Sequence, residues 1–398
     1  MTLFIGTNFT LTTDVVDPAA DAIQYIANNI QLTIAPGIRV GSSAGDGIES
    51  MQNGSTLINN GNIFGFEFVG VRFSGDNATI VNNAGRGIEG RLGGISLTSD
   101  GAAVTNHGNV VGHQGGGIQF GPYSGDVLTN FGVIYGQDNG ITPVSNFDGG
   151  TIRNFGLIHS DTFGVFINTA QGLTTAVTNF AGGTIKGTDE AIFTQNVGRL
   201  SLDNRGTIAG GIDCNAFNGN VNDVVLNKGK ITGDVLLGPG ADKFNGAAGA
   251  AVQVFGEAGN DTLTGGKGND RLNGGDGNDA LTGHRGKDTL IGGDDRDFFD
   301  FNSINDSVVG AKRDRIVDLN RAEDDMIDLR GIDAKTGVSG NQNFKFIGKS
   351  DFHDKKGELR YEDKGSKVIV QGDVNGDGKA DFEILVKIGA LFAGDFLL

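Results

Sequence analysis

One cysteine, Cys214, and five prolines are all that the 398 residues contain of either type. A single thiol excludes an intramolecular disulfide framework. Five prolines beside 69 glycines exclude a collagen-like chain, which needs abundant proline and a three-residue period. Basic residues are also short, 31 against 48 acidic ones. The resulting net charge of -17 argues against nucleic acid as a partner. No run is long and apolar enough for a membrane span. The first ten residues carry neither a basic segment nor a long apolar one, so no Sec leader is expected. The five histidines, His107, His113, His159, His284 and His353, never fall into His-Glu-x-x-His spacing, which excludes zinc proteolysis of that type.

Glycine is abundant, and it is periodic. From Gly256 to Asp300 the chain advances in steps of nine. Each step opens on glycine, at Gly256, Gly265, Gly274, Gly283 and Gly292. The sixth position is always aspartate, at Asp261, Asp270, Asp279, Asp288 and Asp297. The eighth is always apolar, at Leu263, Leu272, Leu281, Leu290 and Phe299. Further glycines stand at Gly266, Gly275, Gly259, Gly268, Gly277 and Gly286. Glu257, His284 and Asp295 take the place of glycine elsewhere, and Ala258 sits at the third position. A glycine turn followed by a three-residue strand cannot stand alone. Stacking two repeats per coil solves this, with neighbouring strands about 4.8 Å apart. It also sets carboxylates above one another. Two unit charges about 5 Å apart repel by about 0.8 kcal/mol in water and about 3 kcal/mol at an effective dielectric of 20. A column of them opposes folding unless cations sit between, and calcium takes 6–8 oxygens from carboxylates and carbonyls. The nonapeptide resembles the calcium-binding RTX repeat. That resemblance implies several calcium ions held by these glycines and aspartates.

A longer repeat precedes it. The core Asn-x-Gly-x-[Ile/Val]-x-Gly recurs with its asparagine at Asn59, Asn106, Asn130, Asn154, Asn204 and Asn227, with looser copies at Asn82 and Asn179, in steps of 23 to 25. Short strands at such a period mean a solenoid whose coils bury their core only against their neighbours. The pattern predicts a right-handed parallel β-helix. A leucine-rich repeat is the other option, but its Leu-x-x-Leu-x-Leu spacing is absent. The asparagines are expected to stack as a ladder inside a turn. With no linker before the nonapeptides, one stack is expected, its coils shrinking from about 24 residues to 18. The expected organisation is all-β: a β-helix over 1–234, a calcium-binding parallel β-roll over 235–300, and a β-rich secretion domain over 301–398.

The stretches Asp314-Arg-Ile-Val-Asp-Leu, Asp325-Met-Ile-Asp-Leu-Arg-Gly-Ile-Asp333 and Phe344-Lys-Phe-Ile-Gly resemble the C-terminal domain of the serralysin family. So do Gly357-Glu-Leu-Arg-Tyr361 and Asp373-Val-Asn-Gly-Asp-Gly-Lys-Ala-Asp-Phe-Glu383. The resemblance covers about 235–398 and leaves out the protease domain. It implies an uncleaved signal for a type I (ABC) exporter, ending here in Asp395-Phe-Leu-Leu398. It also implies export of an unfolded chain that folds on external calcium. The product would be secreted, extracellular or associated with the cell surface.

Three further groups carry candidate chemistry. Asp373, Asn375, Asp377 and Asp381, with Gly378, follow the first part of an EF-hand loop, although position twelve is Ile384 and the only nearby glutamate is Glu383. His107, Phe131, Phe155 and Phe180 share one repeat position, followed there by Arg205 and Lys228, and predict a surface stripe. Such a stripe either binds sugar rings or covers itself by stacking. Arg72, Arg86, Arg91, Glu67 and Glu89 fall on neighbouring coils. They either form surface salt bridges or serve a base-and-cation chemistry on acidic sugars. The expected function is a non-enzymatic extracellular binding, adhesion or matrix component, with polysaccharide or a cell surface as partner. The alternative is a polysaccharide lyase or C5-epimerase. An ice-binding or surface-layer role is a third option, and the lack of a regular Thr-x-Thr column argues against ice.

Overall fold

The computed structural model describes residues 1–98, 100–121, 125–143, 149–195, 198–215 and 219–398. Apart from one 3-10 turn at Ala393–Asp395, its regular elements are all strands. The chain parts into two compact units, Met1–Gly219 with Lys230–Gly233, and Asn220–Gly229 with Asp234–Leu398.

The first unit is a parallel β-solenoid with three sheets, each full coil giving one short strand to each sheet. Its strands are two to six residues long because alternation of apolar and polar residues is kept only between corners. Register equals the sequence period. On one sheet Ile80, Val104, Leu128, Ile152, Val177 and Leu202 lie directly above one another. Ile63, Ile88, Val110, Ile134, Ile158, Ile185 and Ile208 do so on the second. Ile48, Val71, Ile95, Ile118, Ile141, Val165, Ile192 and Ile212 do so on the third. All are buried. At about 1.5–3 kcal/mol per buried aliphatic side chain, these columns supply the main cohesion between coils.

The corner between the first-named sheet and the second is made by the asparagine motif. Each asparagine donates from Nδ2 to the Oδ1 of the next: Asn59 to Asn82 and Asn82 to Asn106 at 2.8 Å, then Asn106, Asn130, Asn154 and Asn179 to their successors at 2.9 Å. The ladder therefore runs from Asn59 to Asn204, every member fully buried. The Oδ1 atoms also accept the N–H two residues on, as from Gly61 at 2.9 Å. Where that second residue is glycine, as at Gly108, a Cβ would overlap the Arg86 carbonyl of the preceding coil; Asn82 and Asn179 are followed there by Ala84 and Ala181.

The second unit contains a narrower roll with two parallel sheets. One includes Val235–Leu236, Gln253–Ala258, Arg271–Asp276, Thr289–Asp294 and Asp314–Ile316. The other includes Val224–Asn227, Lys243–Asn245, Thr262–Thr264, Ala280–Thr282, Phe298–Asp300 and Met326–Asp328. The core is two facing columns, Val254–Leu272–Leu290–Ile316 and Phe244–Leu263–Leu281–Phe299–Ile327. Both sheets are closed at the far end. Asp314–Ile316 pairs with Phe382–Val386, a member of an antiparallel meander with Val368–Asp373 and Glu358–Asp363. Met326–Asp328 pairs with Phe396–Leu397. The sheet edges thereby pass to the two-residue strands Phe396–Leu397 and Lys345–Phe346, too short to template the addition of another chain well.

Candidate metal centre

The nonapeptide aspartates form two columns, one on each side of the roll. On one side Asp261, Asp279 and Asp297 follow one another, and on the other Asp270 and Asp288. Each Oδ1 accepts the backbone N–H of the residue one coil back: Asp242 N–H to Asp261 and Asp261 N–H to Asp279 at 2.8 Å, Asp279 N–H to Asp297 at 2.9 Å. Across the roll, Val252 N–H bonds Asp270 at 2.9 Å and Asp270 N–H bonds Asp288 at 2.8 Å. This Oδ1 contact is the reason for aspartate at every sixth position.

Oδ2 tells a different story. In Asp261, Asp279, Asp288, Asp297 and Asp314 it is buried and has no hydrogen-bond partner. Five such carboxylate oxygens along two short columns cost too much to leave bare, since each buried unsatisfied polar group costs about 1–3 kcal/mol. Beside each nonapeptide Oδ2 lies the first glycine of its own repeat. A Cβ at Gly256, Gly274 or Gly292 would overlap that oxygen, and at Gly265 or Gly283 it would stand 2.5–2.6 Å from it. Carbonyls of the next coil converge on the same space, Gly292 O standing 2.6 Å from where a Gly274 Cβ would be. Glycine keeps this cradle of carboxylate and carbonyl oxygens open. Gly259, Gly277 and Gly286 have positive φ, and a Cβ there would meet the carbonyl of the coil before.

The electrostatics agree. Burial pushes the Asp261 carboxyl up to about 6, Asp279 to about 7, Asp288 and Asp297 to about 8 and Asp314 to about 9. For the last four, neighbouring aspartates add to the rise. Asp270 is also raised by burial, but Gly266 donates to its Oδ2 at 2.6 Å and partly offsets it. Orphaned carboxylate oxygens beside converging carbonyls are the donor set of a hard, oxygen-seeking cation. Among the described residues no three His, Cys, Asp or Glu side chains converge on one point. A cation held here would draw on the aspartate Oδ2 atoms together with the carbonyls beside the repeat glycines.

The columns extend beyond the nine-residue period. Asp288 N–H bonds Asp314 Oδ1 at 2.7 Å and Asp297 N–H bonds Asp325 Oδ1 at 2.9 Å, over steps of 26 and 28. Asp318 accepts from Gly292 and Gly293 at 3.0 and 3.2 Å. These three residues are additions to the sequence-derived set. For Asp314 and Asp325 the signal was present, because Asp314-Arg-Ile and Asp325-Met-Ile keep the Asp-x-apolar triplet without the nonapeptide count; Asp318, in Asp318-Leu-Asn, lacks it.

The EF-hand-like segment forms the loop of an antiparallel hairpin. Asp373 accepts from Gly376 N–H at 2.6 Å and Gly378 N–H at 2.9 Å, and Asp381 from Val374 N–H at 2.7 Å. Asn375 accepts from Asp377 N–H and Asp377 from Lys379 N–H. The carboxylates thus knit their own turn. Ile384 is buried in the following strand, and Glu383 is bound to Arg313 at 2.5 Å.

The surface groups separate. His107, Phe131, Phe155 and Phe180 are stacked nearly parallel, with centroids 4.6, 4.7 and 4.0 Å apart, and the Arg205 guanidinium caps Phe180 at 5.8 Å. Ring faces are covered by ring faces, leaving edges to solvent. Arg72 pairs with Asp46 at 2.6 Å, Arg91 with Glu67 and Gln114, and Glu89 with His113 at 3.5 Å. Glu89, Arg91 and His113 line a hollow of about 250 Å³ with Phe64 and Phe66, and neither Arg72 nor Arg86 reaches it.

Residues 253–281 and 274–308 match the family model of the RTX calcium-binding nonapeptide repeat. These are RTX calcium-binding repeats. No curated protein matches the chain. Among solved structures it is similar to a subunit of the Azotobacter vinelandii mannuronan C5-epimerase, determined in solution. Identity is 26% over 37% of this chain and 78% of that one, with a TM-score of 0.28.

Proposed function

We propose that this is a secreted, calcium-dependent β-solenoid protein whose residues 1–234 present an extracellular binding, adhesion or matrix surface. Residues 235–300 and 301–398 then serve folding and export. The observation that carries the reading is the pair of aspartate columns with buried, partnerless Oδ2 atoms inside RTX repeats. Such columns resist folding without cations and accept it with them, which suits a chain made where calcium is scarce and folded where it is plentiful.

The C-terminus supports export before folding. Asp395 is 3% exposed and held by Arg321 at 2.6 and 3.0 Å, while Phe396 is buried in the strand beside Ile327. A tail so enclosed can be read by a type I exporter only while the chain is unfolded. The same enclosure gives the tail a plain structural role as a last strand, so export itself must be measured. Secretion should fail when Gly394–Leu398 are deleted, and the β-sheet circular dichroism of the purified chain should grow on adding calcium to chelated protein. Export of the truncated chain would overturn the secretion half, and identical spectra in chelator and calcium the folding half. The lyase or epimerase reading needs a free base and a free carboxylate-binding cation at one place; Glu89 and Arg91 share a hollow, but Arg91 is held by Glu67 and Gln114 and Glu89 by His113, and Arg72 is held by Asp46 outside it.

A further inference from the structure

The two rows of turns in the roll differ in charge. One row carries Glu257, Asp276, Asp294 and Asp295, with Arg296 stacked on Phe298. The other carries Lys267, Arg285 and Lys287. Lys287 lies one coil beyond Asn269, whose Oδ1 accepts its N–H at 3.0 Å. Lys312, from the segment after the repeats, joins them. The four cations, with the amides of Asn269 and Asn305, line a groove of about 570 Å³ with no carboxylate in its walls. All four are exposed. Among the described residues none has an ion pair or a side-chain hydrogen bond. An adjoining hollow of about 320 Å³ shares Lys267, Arg285 and Asn305. It also holds Asp306, which is buried and turned to the Asn302 and Ser303 N–H groups.

Four unpaired cations in one groove are unexpected in a chain of net charge -17. Among the described residues, other unpaired cations of this unit, such as Lys243, Lys345 and Lys387, do not line this groove, while Arg313, Arg321, Arg330 and Lys349 are held by carboxylates. Nor does the roll require lysine or arginine here. These side chains sit at the third and fifth repeat positions, outside the Oδ1 and glycine contacts that stack the coils. Lys267 and Arg285 are one coil apart, about 4.8 Å along the stack. That rise is comparable to the advance of one sugar ring along an extended polymer.

We propose that this groove binds an acidic polysaccharide through its carboxylate or sulfate groups. The cations meet the anionic groups and the two asparagine amides suit the hydroxyls between them. A nucleic-acid duplex fits less well. It carries about one charge per 1.7 Å, and the acidic remainder of the chain repels it. The site lies outside residues 1–234, so it adds a second binding surface to the proposed function.

The test uses the full chain in calcium, after its calcium-dependent circular dichroism has been recorded, so that failure to fold and failure to bind are read separately. Binding of a polyuronate, a sulfated polysaccharide, a neutral polysaccharide and a DNA duplex is measured by calorimetry at low and moderate salt. The polyuronate or the sulfated polymer should bind, weakening with salt, while the neutral polymer does not. Binding of one and not the other identifies the anionic group. The variant K267Q/R285Q/K287Q/K312Q should bind about tenfold or more weakly, because each exposed charge contributes little and the effect is collective. K287Q/K312Q serves instead if the fourfold variant loses the native spectrum. K345Q/K387Q, which removes two exposed cations of the same unit outside the groove, should bind as the unaltered chain does. The proposal is overturned if neither acidic polymer binds, if the groove variant binds them undiminished, or if the duplex binds as tightly as they do.

Discussion

Replacing one column carboxylate by its neutral isostere should stabilise one state of the roll and destabilise the other. Asp279→Asn keeps the shape and the Oδ1 acceptor that receives Asp261 N–H at 2.8 Å. The Gly292 carbonyl converging on the Oδ2 space gives the new amide an acceptor. What disappears is a charge on a carboxyl that is 1% exposed and whose pKa burial raises from 3.8 to about 7. A group with a raised folded pKa holds its proton more tightly in the folded state. Its ionisation costs the cation-free fold nothing below the unfolded pKa. It costs up to about 4 kcal/mol well above the folded one, at about 1.4 kcal/mol per unit. Asparagine escapes that cost, so on the alkaline side in chelator the variant should be at least as stable as the native chain. In millimolar calcium it lacks a ligand. A site weakened a hundredfold forfeits about 2.7 kcal/mol of calcium-linked stability. For a unit of this size each kcal/mol moves Tm by about 2–4 °C, so a fall of about 5–10 °C is expected. Thermal melts followed by circular dichroism in both conditions decide the matter. An equal fall in chelator and calcium would refute the reasoning, because Asp279 would then act only through packing and its Oδ1 hydrogen bond.

Calcium affinity should rise with pH between about 6 and 9, where the raised carboxyls of Asp261, Asp288, Asp297 and Asp314 give up their protons. Over the same window the cation-free roll should lose stability. Calcium titrations at a series of pH values check this, and a flat profile would contradict it. In the first unit, Asn130→Ala removes an acceptor for Asn106 at 2.9 Å and donors to Asn154 Oδ1, Gly132 O and Leu157 O. With these partners buried, urea unfolding should register a loss of about 2–4 kcal/mol, and a loss below about 0.5 kcal/mol would deny the ladder its structural role. Glu257, His284 and Asp295 adopt φ of 80°, 63° and 73°. Glycine at any one of them should gain about 0.5–1 kcal/mol in calcium, the relief of left-handed strain being partly offset by greater freedom in the unfolded chain.

The parts of this structure legible in the sequence are those where stacking forces every coil to repeat the same contact. Asp261 to Asp297 and Leu263 to Phe299 recur at fixed spacing because each must sit over its predecessor. Asn59 to Asn204 keep their corner although the step varies, since the hydrogen bond needs the asparagine at the turn, which tolerates Ala84 and Ala181 in place of glycine, and not a constant coil length. The same logic explains what was hidden. Asp314 and Asp325 occupy the columns, yet their steps of 26 and 28 conceal them. A coil can lengthen on its outside without disturbing its inside, so only the Asp-x-apolar triplet survives. Arg72 and Arg91 look like neighbours by period and are not, because residues on adjacent coils converge only when they also share a face. The EF-hand spacing at Asp373 marks a real turn, while Ile384 and Glu383 belong to strand packing and the Arg313 pair. The charge of the two turn rows depends on the same point. Read by nine, the third positions run Ala258, Lys267, Asp276, Arg285, Asp294 and look mixed. The folded period is eighteen, which sorts acids to one row and bases to the other, so the cationic groove arises from an alternation that the repeat unit itself averages away.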